Sequence, residues 1–461
     1  MHRELCLSVL AATTTRRLLA LGAMLAAGFA TYGSLVPLHV RPLSFAAAVS
    51  EFTALHRIPF AVESKTDLLS NFALFLPIGF LGTGSIAAGR SRLIGLLGVL
   101  VTVACAFALS VGIEFAQLFI PMRTASLNDI TNETAGACFG ALAWLLAGPV
   151  VTRWISGFTP ATSAPSDLAR RVLTAYAAVW VVLGLLPLDI TIRPSELAEK
   201  YRQGRVHVVP LSGGAMTAAQ VILGTGLLAV PIGALGALGW PHARRTASAA
   251  HGTLAGAAAV VGMELCQLFV FSRTASVDDV IGGLVGATVG AHIAARMTGS
   301  SEARSATGVR LWPLAALALW LLVILVRHWS PFNFVVTGEM FRERTPALFD
   351  VPFRSYYWAN PFNALGEALT KILLGVPVGL LLTLFLPRPR SMTGRVIAFT
   401  GILLAGAAIF AGVEVGQVFL PSRYPDGTDV LLGTFGTCCG ALGTRLVLSG
   451  VGVPGSTSAP P

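Results

Sequence analysis

The chain has 461 residues, of which 54% are hydrophobic and only 12% are charged, and its mean hydropathy is +0.74. Soluble proteins carry roughly 25% charged residues, so this composition excludes a soluble globular protein and predicts an all-α, polytopic transmembrane helix bundle. The net charge of +10 comes from arginines that lie between apolar runs, which favours a topological signal over nucleic-acid binding.

A helix needs about 20 apolar residues to cross a hydrocarbon layer roughly 30 Å thick. The sequence contains about twelve such runs, which we predict as three repeats of four helices. In chain order the predicted helices cover 18–37, 67–88, 93–120, 127–151, 170–188, 214–240, 247–271, 277–295, 310–328, 364–387, 396–420 and 428–449.

Each repeat shows the same order of features. Its first helix ends at a proline, its second contains a Pro-x-Gly sequence, its third ends in Glu-x-x-Gln, and its fourth carries two glycines four residues apart. We therefore predict repeat one at 1–152, repeat two at 153–297 and repeat three at 298–450, with a disordered tail at 451–461. Polar connectors rich in Ser, Thr, Pro and Gly separate the repeats.

The distribution of arginine predicts the orientation. If the N-terminus is cytoplasmic, the inner segments contain most of the arginines, such as Arg16, Arg17, Arg90 and Arg92, and few acids. The positive-inside rule then predicts a multi-pass protein of the cell inner (plasma) membrane. Residues 17–31 also fit a signal peptide, but equivalent helices open repeats two and three and cannot be signals.

One polar motif recurs at intervals of 150 residues, always at the end of a long apolar run. Ionisable side chains are costly inside a membrane, so their recurrence there predicts a site or a structural clamp on the outer side. The three copies are Glu114, Gln117, Arg123 and Asp129; Glu264, Gln267, Arg273 and Asp279; and Glu414, Gln417, Arg423 and Asp429.

Repeat one carries additional polar residues, which predicts a ligand-binding site there. Its second helix adds Asp67 and Asn71, and its fourth adds Asn132 and Glu133. The other repeats differ at these places. In repeat two, the positions of Asp67, Asn71 and Asn132 hold Val221, Thr225 and Gly282, and in repeat three they hold Glu367, Lys371 and Leu432. A purely structural clamp would predict three equal copies, so we interpret the shared set as building each hairpin and the extra groups as completing a site in repeat one.

Structural interpretations compete for the same residues. Ser126 with Asp129 fits a helix capping box, and Asp426 takes the place of that serine in repeat three. Arg123 has a side chain long enough to reach back towards Glu114 and form a buried clamp. The glycine pairs fit close helix packing. Cysteine and histidine spacings predict no disulfide framework, no metal site and no cofactor.

The residues in repeat one resemble the VanZ-like family, membrane proteins associated with teicoplanin resistance. The resemblance rests on "DLLSNFALFLPIGF" at 67–80 and "GIEFAQLFIPMRTASLNDITNETAGACFG" at 112–140. Repeats two and three are similar but depart at the positions given above. The resemblance implies three tandem domains and an action at the outer face, where a glycopeptide meets cell-wall precursors.

Three functions remain open from the sequence. The first is binding or shielding of a lipid-linked cell-wall precursor, a lipid head group or a glycopeptide, with the outer-facing acids, amides and Arg123 as contacts. The second is an intramembrane enzyme that uses Glu114 and Asp67 as acid and base, although no known catalytic motif is present. The third is a transporter, since repeats are common in carriers, although these repeats all run in the same direction.

Overall fold

A computed structural model describes residues 2–57, 65–158, 164–186, 189–212, 214–240, 244–298, 312–358, 361–386, 389 and 391–451. Within these residues the chain is almost entirely helical, as the hydropathy predicts. Pro187, most of the connector between repeats two and three, and nearly all of the C-terminal tail lie outside the described residues.

Among the described residues, each repeat contains four long α-helices and one short α-helix that follows the first of them, and short 3-10 helices add to this segment in repeats one and three. The long helices overlap the predicted runs, although α1 begins at His2 and not at residue 18. Repeat one contains α1 (His2–Leu35), α2 (Phe45–Ala54), α3 (Lys65–Ala87), α4 (Arg92–Gln117) and α5 (Leu127–Ser156). Repeat two contains α6 (Pro165–Leu185), α7 (Pro194–Arg202), α8 (Ala215–Gly239), α9 (Arg245–Leu268) and α10 (Val277–Thr298). Repeat three contains α11 (Trp312–Trp329), α12 (Gly338–Arg344), α13 (Pro361–Phe385), α14 (Met392–Val418) and α15 (Gly427–Val451).

Eleven of the twelve long helices are long and apolar enough to cross a membrane within the described residues. The twelfth is α15, whose side chains are described up to residue 446. Many large apolar side chains on these helices point outward, and Leu146 is 85% exposed. Such outward apolar surface suits lipid better than water, so the protein is a multi-pass membrane protein with an all-α fold.

Regular structure other than helix is minor in the described part of the chain. Two strands of two residues each, β1 (Val206–His207) and β2 (Ala275–Ser276), pair in parallel in repeat two. This pair ties the segment after α7 to the start of α10.

Every repeat has its own apolar core at equivalent positions. Ile78, Ile232 and Val378 come from the second long helix and are all nearly fully buried. They pack with residues of the first, third and fourth long helices in every repeat, although the residue from the fourth helix of repeat three, Val430, is only partly buried. The repeated sequence thus gives a repeated core.

The second and fourth long helices of each repeat approach each other through glycines. A Cβ atom at Gly136 would overlap the carbonyl oxygen of Phe72, and one at Gly79 would overlap that of Ala137. The same overlaps recur at the equivalent glycines of repeats two and three. The structural interpretation of these glycines is therefore confirmed, because only a residue without a side chain allows the two backbones to come so close.

The described chain divides into two compact units. The first contains 1–159 together with 349–361, and the second contains 160–348 together with 362–461. In the first unit, a segment that follows α12 in sequence packs on the end of α1, where Tyr32 donates a hydrogen bond to the carbonyl of Pro352 (2.8 Å). In the second unit, α6 of repeat two packs on α15 of repeat three.

Candidate functional site

The recurrent glutamate accepts a hydrogen bond from the backbone at the start of the fourth long helix. Glu114 is fully buried, and its Oε2 accepts a hydrogen bond from the backbone N–H of Ser126 (2.7 Å). Glu264 accepts from Ser276 (2.8 Å), and Glu414 accepts from Asp426 (2.9 Å), in the same way. A helix N-terminus leaves N–H groups without partners, so the glutamate at the end of one helix satisfies a donor at the start of the next.

This arrangement corrects the capping-box interpretation. In a capping box, the residue three positions into the helix would accept from the N–H of the cap residue. Here Glu114 accepts from that N–H, and the Ser126 hydroxyl accepts from the N–H of Asn128 (3.1 Å). The carboxylate of Asp129 is therefore directed elsewhere. Asp426 does cap α15, as its position predicts, by accepting from Thr428 (2.8 Å).

Asp129 instead meets the second long helix. Its Oδ1 accepts a hydrogen bond from Asn71 Nδ2 (2.6 Å), which joins α5 to α3. The equivalent aspartates accept from the equivalent side chains: Asp279 from the hydroxyl of Thr225 and Asp429 from the ammonium of Lys371. The geometry is thus the same in all three repeats, while the donor changes from an amide to a hydroxyl to a cation.

The recurrent arginine clamps the end of the first long helix. Arg123 donates from Nε to the carbonyl of Val36 (3.0 Å) and from Nη2 to that of Gly33 (2.6 Å). Arg273 and Arg423 do the same to the equivalent carbonyls of α6 and α11. These carbonyls lack partners within their own helices. The clamp expected between Arg123 and Glu114 is replaced by a clamp on the first helix, and Arg123 attracts Glu114 electrostatically.

The recurrent glutamine behaves differently in repeat three. Gln117 and Gln267 donate to carbonyls at the ends of α1 and α6, Ser34 (3.3 Å) and Gly184 (3.1 Å). Gln417 donates to Glu414 Oε1 (2.9 Å). Both oxygens of Glu414 are therefore satisfied, whereas Glu114 Oε1 is buried and has no hydrogen-bond partner among the described residues.

Repeat one buries a second glutamate next to the first. Glu133 is 1% exposed, and its Oε2 accepts from the hydroxyl of the buried Ser110 (2.5 Å). Glu114, Asp129 and Glu133 all interact electrostatically with one another. We call these three acids, together with Asn71 and Ser110, the carboxylate cluster of repeat one.

The cluster is specific to repeat one because apolar packing replaces it elsewhere. The positions of Ser110 and Glu133 hold Val260 and Gly283 in repeat two, where the valine side chain fills the space above the glycine. In repeat three they hold Phe410 and Gly433, packed in the same manner. A large apolar residue with a glycine thus takes the place of a hydroxyl with a carboxylate.

The remaining predicted residues of repeat one lie close to this cluster in the sequence. Asn132 is half-buried and lies one turn after Asp129 on α5. Asp67 belongs to α3, one turn before Asn71, but its side chain is outside the described residues. The structure therefore brings Asn71, Glu114 and Asp129 together, places Gln117 and Arg123 against α1, and leaves the contribution of Asp67 a prediction.

One group among the described residues has donor atoms close enough to hold a metal ion. It consists of His328, Glu414 and Asp429 in repeat three, with donor atoms within 4.8 Å of one another. The ammonium of Lys371 already forms an ion pair with Asp429 there. A second cation beside this ammonium would be repelled, so we interpret the group as part of an internal ion-pair cluster.

Two features of these sites were not predicted from the sequence. The first is Ser110, which lies one turn before Glu114 on α4 but is identified as the partner of Glu133 only when that helix is packed against α5. The second is a cation that binds the last carbonyls of each third long helix. In repeat one, Arg41 donates to the carbonyl of Leu118 (2.7 Å). In repeat two, Lys200 donates to the carbonyls of Gln267 (2.5 Å), Leu268 (3.2 Å) and Val270 (2.6 Å). In repeat three, Arg344 donates to the carbonyl of Leu420 (2.5 Å).

These cations compensate the negative end of each helix dipole. Lys200 is fully buried, and burial lowers the pKa of its ammonium below the ordinary value for lysine. Lys200 and Arg344 each lie 13 residues after the proline that ends the first long helix, whereas Arg41 lies only four residues after it, so no spacing common to all three repeats indicates these cations.

Comparison with known proteins identifies the family. No curated protein and no solved structure matches the chain. The family model described as VanZ/LLP1 matches it three times, at residues 13–148, 173–298 and 313–448. These matches coincide with the three repeats and cover most of the sequence. The chain therefore belongs to the VanZ/LLP1 family and contains three copies of its domain in tandem.

Proposed function

We propose that this protein binds an envelope molecule through the carboxylate cluster of repeat one. The molecule would be a lipid-linked cell-wall precursor, a lipid head group or a glycopeptide, reached from the outer face of the inner membrane. The family's link to glycopeptide resistance supports this class of ligand. The concentration of arginine in the segments assigned to the inner side supports the orientation.

The observation that carries the proposal is the state of Glu114. A buried acceptor without a hydrogen bond costs free energy, and an acid kept in this state in a membrane helix indicates a function. In repeat three the equivalent oxygen is satisfied by Gln417. In repeat one the oxygen can accept from a ligand, beside the buried Glu133, whose position holds a glycine in the other two repeats.

The chemistry of the cluster favours a ligand with several hydrogen-bond donors. Glu114, Asp129 and Glu133 present acceptors, and hydroxyl, amide and ammonium groups of a head group supply donors. The Nε and Nη2 groups of Arg123 are bound to α1 carbonyls, so the acids, and not the arginine, would make the specific contacts. Asn71, which donates to Asp129, and Asn132, which precedes Glu133, are half-buried and therefore partly accessible.

Binding measured on matched variants tests the proposal. Purified protein in lipid nanodiscs is titrated with a lipid-linked precursor, with head-group lipids and with a glycopeptide, and bound molecules are counted by native mass spectrometry. Glu114→Gln keeps one acceptor for the Ser126 N–H but removes the charge, and Glu414→Gln makes the same change in repeat three. We expect the first to weaken binding at least tenfold and the second to leave it unchanged.

The contrary results are equally specific. Equal loss in both variants would show that the glutamates act only in folding each hairpin. Absence of binding to every envelope molecule by the wild-type protein would reject the proposal altogether.

A further inference from the structure

Repeat three carries a positive charge where repeat one carries a neutral amide. Lys371 and Asn71 occupy equivalent positions six residues before the central proline of their helices. Each donates to the aspartate that opens the fourth long helix, Lys371 to Asp429 and Asn71 to Asp129. The two side chains therefore reach the same place, which makes repeat three an internal comparison for repeat one.

The ammonium of Lys371 neutralises the acids around it. It forms an ion pair with Asp429, with the two side chains 21% and 9% exposed, and it also attracts Glu414. The donor atoms of His328, Glu414 and Asp429 lie within 4.8 Å of one another, so the cation sits in a compact group. Paired buried charges are far less costly than single ones, and the lysine supplies the pairing.

Repeat one has a neutral residue where repeat three has the cation, and its acids are distributed differently, with Glu133 in place of Gly433 and Ser126 in place of Asp426. Glu114 and Asp129 are retained, Glu133 is added, and Asn71 is neutral. Asp129 and Glu133 are both close enough to repel Glu114, and Arg123 donates hydrogen bonds to carbonyls of α1 and not to these acids. Glu114 Oε1 is buried without a hydrogen bond among the described residues. The cluster is therefore complementary to a small positive group with several N–H donors.

We infer that the carboxylate cluster of repeat one binds the primary ammonium group of its ligand, at the position that the Lys371 ammonium takes in repeat three. Repeat three is then occupied by its own side chain and does not bind this ligand. A primary ammonium has three N–H donors, and Glu114, Asp129 and Glu133 supply acceptors. The inference rests on the proposed function for the existence of a ligand and adds the chemical group that is recognised.

Two sources could present such a group at a membrane surface. One is the amino head group of a phospholipid, and the other is a free amine on a peptide or glycopeptide. The recognised chemistry is the same, so the probes must separate the sources. Phosphatidylethanolamine is compared with phosphatidylcholine, whose quaternary nitrogen has no N–H donor, and an amine-bearing glycopeptide is compared with its N-acetylated form.

The experiment measures binding of these four probes to the full chain in nanodiscs by native mass spectrometry. We expect at least one amine-bearing probe to bind the wild-type protein tenfold or more tightly than its blocked partner. Asn71→Lys should abolish this preference, because the grafted ammonium fills the position as it does in repeat three. Asn71→Gln is the matched neutral control and should retain most of the binding.

Other outcomes overturn the inference. Equal binding of amine-bearing and blocked probes, or full binding by Asn71→Lys, would show that no ammonium is recognised. Binding of Mg²⁺ alone that is lost in Glu114→Gln would replace the ammonium by a metal ion. If Asn71→Lys fails to fold, the preference of the wild-type protein for amine-bearing probes decides the question.

The inference and the proposed function fail separately. A ligand without an amine whose binding depends on Glu114 would leave the proposed function standing and reject the ammonium. Failure of all probes and of every envelope molecule would reject both.

Discussion

The pair formed by Ser110 and Glu133 allows structure and function to be separated in one cycle of mutations. Repeats two and three fill the same two positions with a large apolar residue and a glycine, Val260 with Gly283 and Phe410 with Gly433. The double variant Ser110→Val, Glu133→Gly therefore imposes on repeat one a packing that the same fold already accepts. Each single variant breaks the pair without providing the alternative.

The expected loss of folding free energy in each variant follows from the burial of these two side chains. Ser110 is 0% exposed and Glu133 is 1% exposed, with 2.5 Å between Oγ and Oε2. Ser110→Val alone leaves a buried carboxyl without this partner and should cost about 2 kcal/mol. Glu133→Gly alone removes the partner of Ser110 and places a glycine inside a helix, which should also cost about 2 kcal/mol. The double variant retains only the glycine cost of about 1 kcal/mol.

The assay is reversible unfolding in mixed micelles, with the free energy of unfolding measured for the wild type and the three variants. We predict a favourable coupling energy of about 2 to 3 kcal/mol between the two substitutions. We also predict that the double variant folds but binds no envelope molecule, because a carboxylate of the cluster is gone. Simple additivity of the two single losses would refute the packing argument, and full binding by the folded double variant would refute a role for Glu133.

Three further predictions follow from individual contacts. Lys200→Met should lower the free energy of unfolding by about 2 kcal/mol, because three carbonyls lose a charged donor. Burial also lowers the pKa of Lys200, so the stability of the wild-type protein should rise with pH up to the ordinary lysine pKa of 10.5. This rise should be absent in the variant. Gly136→Ala should destabilise by about 1 to 3 kcal/mol in the same unfolding assay, because its Cβ meets the Phe72 carbonyl. Gly112→Ala, with open space around it inside α4, should instead stabilise by up to about 1 kcal/mol. Met122→Cys in a cysteine-free background should react with a membrane-impermeant maleimide added outside intact cells, because Met122 is 43% exposed in the turn between α4 and α5. Labelling that occurs only after the membrane is permeabilised would show that this turn faces the cytoplasm, opposite to the proposed orientation.

The helices and the repeats could be predicted because their causes are local. Long apolar runs leave few alternatives to membrane helices, and equal spacing of the recurrent residues is visible without a structure. Asn71 and Asp129 were both proposed from the sequence as part of one site, and they meet at 2.6 Å. The sequence places Asp129 in the site as part of the recurrent motif and Asn71 as one of the added groups of repeat one, but it does not indicate that the two pair with each other.

The partners that the sequence analysis missed depend on how helices pack against one another. Arg123 is long enough to reach either Glu114 or α1, and only the packing of α1 beside the turn decides that its donors go to Val36 and Gly33. Ser110 is 23 residues from Glu133 along the chain and on another helix. No local periodicity connects such residues, so their pairing required coordinates.

The most direct test of the central claim is a cryo-electron microscopy map of the protein in nanodiscs with the envelope molecule that binds best. The account predicts ligand density among α3, α4 and α5 of repeat one, in contact with Glu114, and none beside Glu414. Density at the equivalent places of repeat three, or a bound molecule far from Glu114, would contradict it.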